Sequence, residues 1–125
     1  MARRITGRIS TAVLAAVLVM PVAAVAHHGW RWTAGENIAL TGLITAVRLG
    51  NPHGLVTVDV EGEPWTVEVG QPWRNERAGL TDADFAIGRE IRVEGEPDAA
   101  ASRRVIKAER LWFDGQRHEL YPERD

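Results

Sequence analysis

The sequence predicts a small, mainly β barrel with one interrupted helix. Three observations carry this. Two apolar, β-rich runs flank the short segment Gly50-Asn51-Pro52-His53-Gly54. The later runs alternate apolar and polar residues with period two. A single zone of the region after the leader, Arg74 to Ala86, has helical character.

Residues 1–26 are read as a secretory signal peptide and set aside from the fold. Arg3, Arg4 and Arg8 form a positive start, and Ile9 to Val22 is mostly apolar but too short for a comfortable membrane span. Ala24-Val25-Ala26 supplies a small-x-small cleavage pattern. The expected product is one domain, residues 27–125, periplasmic or secreted, with no integral membrane segment once the leader is gone. No cysteine is present, so a lipid anchor at a lipobox, a disulfide framework and a thiol nucleophile are all excluded. Removing 26 of 125 residues leaves 99, a size at which one hydrophobic core suffices. The leader takes three of the 15 basic residues and none of the 17 acidic ones, leaving 12 against 17, or −5 with histidine neutral. Such a domain lacks the basic footprint that phosphate binding needs, so no nucleic-acid partner is expected.

The first strand is expected from Ile38 to Val47. Leu40, Gly42 and Ile44 share one parity, whereas Val47 and Leu49 take the other. This switch predicts a bulge, and Gly42 suits a sharply bent strand. After the Asn51-Pro52-His53-Gly54 loop, Val56, Val58 and Val60 face one way and form a half-buried strand. Glu61-Gly62-Glu63-Pro64 turns the chain into a third strand, with Trp65, Val67 and Val69 inward and Thr66 and Glu68 outward. Gly79 is expected to break the helical zone, and Thr81 with Asp84 makes a capping box for a second short turn. Leu80, Phe85 and Ile87 are expected to dock on the sheet. Ile87 to Gly95 leads through a turn into a fourth strand, and Arg104 to Phe113 forms the fifth. Asp114-Gly115 is a strong hairpin signal, letting Gln116 to Tyr121 pair back. Five strands with a short helix between the third and fourth is the order of an OB-fold barrel. An open β-sandwich or a meander barrel of other topology is the alternative.

Several stretches together resemble a known family. They are Ala26-His27-His28-Gly29-Trp30, Leu40-Thr41-Gly42, Asn51-Pro52-His53-Gly54, Trp65-Thr66-Val67, Gly79-Leu80-Thr81 and Val93-Glu94-Gly95. The chain resembles the small exported bacterial proteins of the domain of unknown function 6152 family over essentially all of residues 27–125. That resemblance implies export and a small β-barrel, and brings no reaction or ligand with it.

The most suggestive chemistry lies at the expected new N-terminus. Cleavage after Ala26 gives His27 a free α-amine beside its own imidazole. Amine and Nδ1 can chelate one copper ion, and His28 or His53 can complete a nitrogen site, donors that suit copper above other divalent ions. Cleavage after Ala24 instead places His27 third, where amine, backbone amides and imidazole can wrap copper or nickel. Against both stands a solvated tail of no consequence, although Trp30 and Trp32 favour a segment that is tied down. His53 lies in the loop region where OB-folds commonly bind, and the plainer alternative is that it only braces that loop. Asn51 before Pro52 fits an ordinary turn and joins the candidate site with Trp30 and Trp73. Trp65 and Trp112 read as core and rim, Trp73 as semi-exposed, and His118 as a surface residue.

No catalytic residue stands out. The only serines are Ser10 and Ser102, and neither an H-E-x-x-H motif nor a Gly-rich phosphate loop occurs. Glu61, Glu63, Glu68, Glu94 and Glu96 are placed on outward positions, with no carboxylate pair singled out. The first expectation is a non-catalytic binding domain with a metal ion, copper favoured, or a small ligand near His27, His28 and His53. The second is an envelope protein–protein interaction module meeting its partner through strand edges and Trp73. A copper-dependent oxidase is third, and no cofactor beyond that candidate copper ion is named.

Overall fold

The computed structural model describes residues 29–124. Its strands are β1 (Ile38–Arg48), β2 (Leu55–Val60), β3 (Glu63–Glu68), β4 (Glu90–Pro97), β5 (Val105–Phe113) and β6 (Gln116–Glu119), with helix α1 (Pro72–Arg77) and a 3₁₀ turn (Asp82–Asp84) between β3 and β4. The sheet runs β3-β2-β1-β4-β5-β6, and β3 also pairs in parallel with β5. That last pairing closes the first five strands into a barrel and leaves β6 as an added edge. The strand order and the helix position are those of an OB-fold, as the sequence predicts.

β1 serves two neighbours, and its chemistry explains how. Residues 43–48 pair with β2 and residues 38–43 with β4, so the strand must curve between them. The β1–β2 register slips between Ile44 and Ala46, where the change of parity predicts a bulge. At Gly42 the strands come so close that a Cβ would lie 2.0 Å from the Asp59 carbonyl oxygen. Gly95 plays the same part in β4, beside the other register break: a Cβ there would lie 2.0 Å from the Lys107 carbonyl oxygen.

The barrel interior is filled by Val56, Val58, Val67, Ile91, Val93, Ile106 and Leu111, none more than 1% exposed. Each such side chain contributes about 1.5–3 kcal/mol relative to leaving it in water. Leu80 and Phe85 close the barrel beneath the helical segment. α1 ends at Ala78, before Gly79, and the Asp84 carboxylate accepts hydrogen bonds from the Thr81 backbone N–H (2.7 Å) and hydroxyl (3.1 Å). The Thr81 N–H bond above all, with the Thr81 hydroxyl and Arg89 adding to it, holds the Asp84 carboxyl below its ordinary value of 3.8.

Three expectations fail. Ile87 is 71% exposed, because Leu80 and Phe85 already fill the barrel end and the chain turns away through Gly88. His118 is buried: its ring meets Phe113 edge-on, and Nδ1 lies 2.9 Å from the Ala78 carbonyl oxygen at the end of α1. Glu68 and Glu96 are not on solvated faces but buried, since β5, the first described residues and the C-terminal segment cover them. Among the described residues no helix is long and apolar enough to cross a membrane.

Candidate binding site

The first described residues are tied down along the end of β4. Thr33 bridges to Asp98, Ala34 N–H donates to the Pro97 carbonyl (2.9 Å), and Ala99 N–H donates to the Trp32 carbonyl (2.9 Å). The Thr33 hydroxyl bonds both the Trp30 carbonyl and the Glu96 carboxylate. The Trp30 ring lies edge-on to Tyr121 with centroids 5.0 Å apart. Two cations sit over it, the Arg124 guanidinium at 3.8 Å and the Lys107 ammonium at 4.7 Å. Arg124 is held in turn by Glu96 (2.6 Å) and Glu109 (3.1 Å).

The loop after β1 reaches the same place from the other side. Gly54 exchanges backbone bonds with Val69 and Gly70, and the Asn75 side chain of α1 clasps Gly70 through both its oxygen and its nitrogen. With the loop end pinned, His53 stands over Glu68, Nδ1 to Oε1 3.5 Å. Glu68 also faces Lys107 Nζ at 3.5 Å, a consequence of the parallel register that sets Glu68 beside Lys107. Lys107 completes the link by donating to the Gly29 carbonyl (3.2 Å).

Between these parts lies a hollow of about 380 Å³, lined by Gly29, Trp30, Pro52, His53, Gln71, Arg74, Lys107 and Tyr121. Lys107 is 2% exposed, and burial pushes its ammonium below the usual 10.5 while Glu68 opposes that shift. Burial pushes the Tyr121 phenol above 10.0, so it stays protonated and neutral at physiological pH. The Arg74 guanidinium lies 4.1 Å from the Tyr121 ring centre and 4.6 Å from that of Trp73, and its Nη1 donates to the Leu120 carbonyl (2.9 Å).

The model of a family of unknown function, DUF6152, matches residues 15–107. The chain belongs to the DUF6152 family. No curated protein matches it. Among solved structures, this DUF6152 chain is similar to one in the S. pombe Stn1–Ten1 complex, at 20% identity and a TM-score of 0.49, over 62% of this chain and 57% of that one. It is also similar to the ZRD-deleted mutant of TiaS in complex with agmatine, at 14% identity and a TM-score of 0.49, over 68% of this chain and 26% of that one. It thus spans less than two thirds of either chain. Strand order and the parallel β3–β5 pairing define the barrel.

Of the residues singled out from the sequence of this DUF6152 chain, the structure brings Trp30 and His53 together at the hollow. Asn51 is exposed at the top of the same loop. Trp73 is 50% exposed, beside Arg74, with its indole N–H donating to Gln71 Oε1 (2.8 Å). His27 and His28 lie outside the described residues. Among the described residues no three His, Cys, Asp or Glu side chains converge as a metal site would require. Glu68, Gln71, Arg74, Lys107 and Tyr121 were missed by sequence reasoning. One signal was there: the charges Lys107, Glu109 and Arg110 sit mid-strand between Val105-Ile106 and Leu111-Trp112, and buried charges of that kind need built partners.

Proposed function

We propose that this chain is an exported, non-catalytic binding domain of the periplasm or exterior, with its site where the N-terminal segment meets the Asn51-Pro52-His53 loop. The occupant is a metal ion, copper before nickel or zinc, held by His53 with His27 or His28. One observation carries this: Gly29 and His53 line the same hollow. His28 is one peptide unit before Gly29, about 3.8 Å between Cα atoms, and His27 one more. Shared coordination requires the imidazoles at the expected new terminus to reach His53 across this hollow. Glu68 supports the reading as well, since a carboxylate at one ring nitrogen orients a ligating histidine and raises its basicity. With Nδ1 facing Glu68, Nε2 is the ligating atom of His53.

Mass spectrometry of the exported protein, native and denatured, tests this directly. The expected mass begins at His27, and the native species carries copper that His53→Ala loses. A correctly processed protein that takes up no copper removes the metal from the proposal. A protein–protein interaction module is the second reading, favoured by Trp73 at 50% and Ile87 at 71% exposure.

A further inference from the structure

We infer that the hollow itself is a cradle for a small organic carboxylate, independent of any metal at its rim. The inference starts from an imbalance of charge. Arg74 and Lys107 both line the hollow, and no Asp or Glu does. Glu68, set behind the wall, answers Lys107. Arg74 has no carboxylate within ion-pairing distance among the described residues, although it is half buried between aromatic rings. A cation partly withdrawn from water without a counter-ion fits a site whose anion arrives from outside.

The donor and acceptor inventory points the same way. Two acceptors at the wall are engaged: the Gly29 carbonyl takes the Lys107 proton, and Gln71 Oε1 takes the Trp73 indole N–H. The donors are in surplus. Arg74 spends one of its five N–H groups, on Leu120. Gln71 keeps its NH₂ group, and the neutral Tyr121 hydroxyl keeps its proton. A wall so rich in spare donors fits an acceptor-only ligand.

The remaining lining decides which anion. Trp30, Tyr121 and Pro52 add apolar surface to the same lining, with Arg74 packed on the Tyr121 ring and Lys107 on the Trp30 ring. Sulfate can use only the charged part of this lining, whereas a carboxylate with an organic body sets its head on Arg74 and Gln71 and its body on the apolar part. A guanidinium binds a carboxylate in two parallel bonds, which fixes orientation as well as affinity.

The test is an NMR titration of the export-processed protein with sodium benzoate and, separately, sodium acetate, following the Arg74 side-chain Nε–H signal and the Gly29 amide. Sodium sulfate at matched ionic strength is the third arm. Both carboxylates are expected to give saturable shifts, with benzoate the tighter. Arg74→Gln is expected to weaken benzoate about tenfold, the loss of one charged hydrogen-bond donor set. Arg77→Gln, on the same helix but away from the hollow, leaves it unchanged, and melting curves of both variants check folding. His53→Ala, which removes a proposed metal ligand, keeps the response to benzoate. Shifts that do not saturate, sulfate binding more tightly than benzoate, or equal affinity in wild type and Arg74→Gln each overturn the cradle. So does loss of the response in His53→Ala with retention in Arg74→Gln, which assigns the carboxylate to a metal instead.

Discussion

Lys107 is the residue whose removal should be felt most at the site. Its side chain is 3% exposed, with Nζ 3.5 Å from a Glu68 carboxylate that is itself 11% exposed. Lys107→Met keeps the length of the stem and deletes the charge. Glu68 is then left buried with one cationic partner fewer, and breaking a buried pair from one side costs about 3–5 kcal/mol. His53 remains 3.5 Å from Glu68, so the cost belongs at the low end, about 3 kcal/mol. Removing both charges is a different matter. The double variant Glu68→Gln with Lys107→Met leaves no unpaired ion, and its cost should fall to about 1 kcal/mol or less. The double-mutant cycle then shows strong non-additivity, with a coupling of about 2 kcal/mol or more. Urea unfolding followed by tryptophan fluorescence measures all four proteins, with an unchanged slope required for the comparison. A Lys107→Met protein within about 0.5 kcal/mol of wild type, or single costs that simply add, would refute a buried pair holding this corner together.

Other consequences are open to the same methods. The Lys107 ammonium has a folded-state pKa below 10.5, so the unfolded chain binds the proton more tightly and wild type should gain on Lys107→Met as pH rises from neutral toward 10.5. Tyr121 works in the opposite sense: its phenol ionises later in the folded protein, so its contribution is full below 10.0 and declines as pH climbs through the folded value, and Tyr121→Phe separates the two. Asp84→Asn should cost about 1 kcal/mol at neutral pH by weakening the cap on the Thr81 N–H, and the difference should vanish as acid takes the wild-type carboxylate through its lowered pKa. Gly95→Ala places a methyl 2.0 Å from the Lys107 carbonyl oxygen, a clash with backbone that cannot give; a loss of about 3 kcal/mol or an insoluble product is expected by melting and expression.

Much of the barrel was legible because local rules and the fold agree. The change of parity along the first strand became the bulge between Ile44 and Ala46, and Asp114-Gly115 became the β5–β6 hairpin turn. Thr81 and Asp84 met as a cap because both partners lie within three residues. The candidate site was half legible. Trp30 in a supposed tail and His53 in a tight loop drew attention through their residue type alone. Glu68 and Lys107 did not, because strict alternation assigns a charged strand residue to solvent. Their burial depends on β5 pairing with β3 in parallel and on the first described residues lying over the sheet edge, neither of which a period-two pattern encodes. His118 was misplaced for a like reason: the carbonyl it meets is 40 residues away.

Electron paramagnetic resonance of the copper-loaded, export-processed protein bears most directly on the account, because it reads the atoms around the ion. Coordination by the terminal amine, a histidine from position 27 or 28 and His53 predicts nitrogen couplings that lose one contributor in His53→Ala. Identical spectra from wild type and His53→Ala would contradict a site shared between the N-terminal segment and the loop.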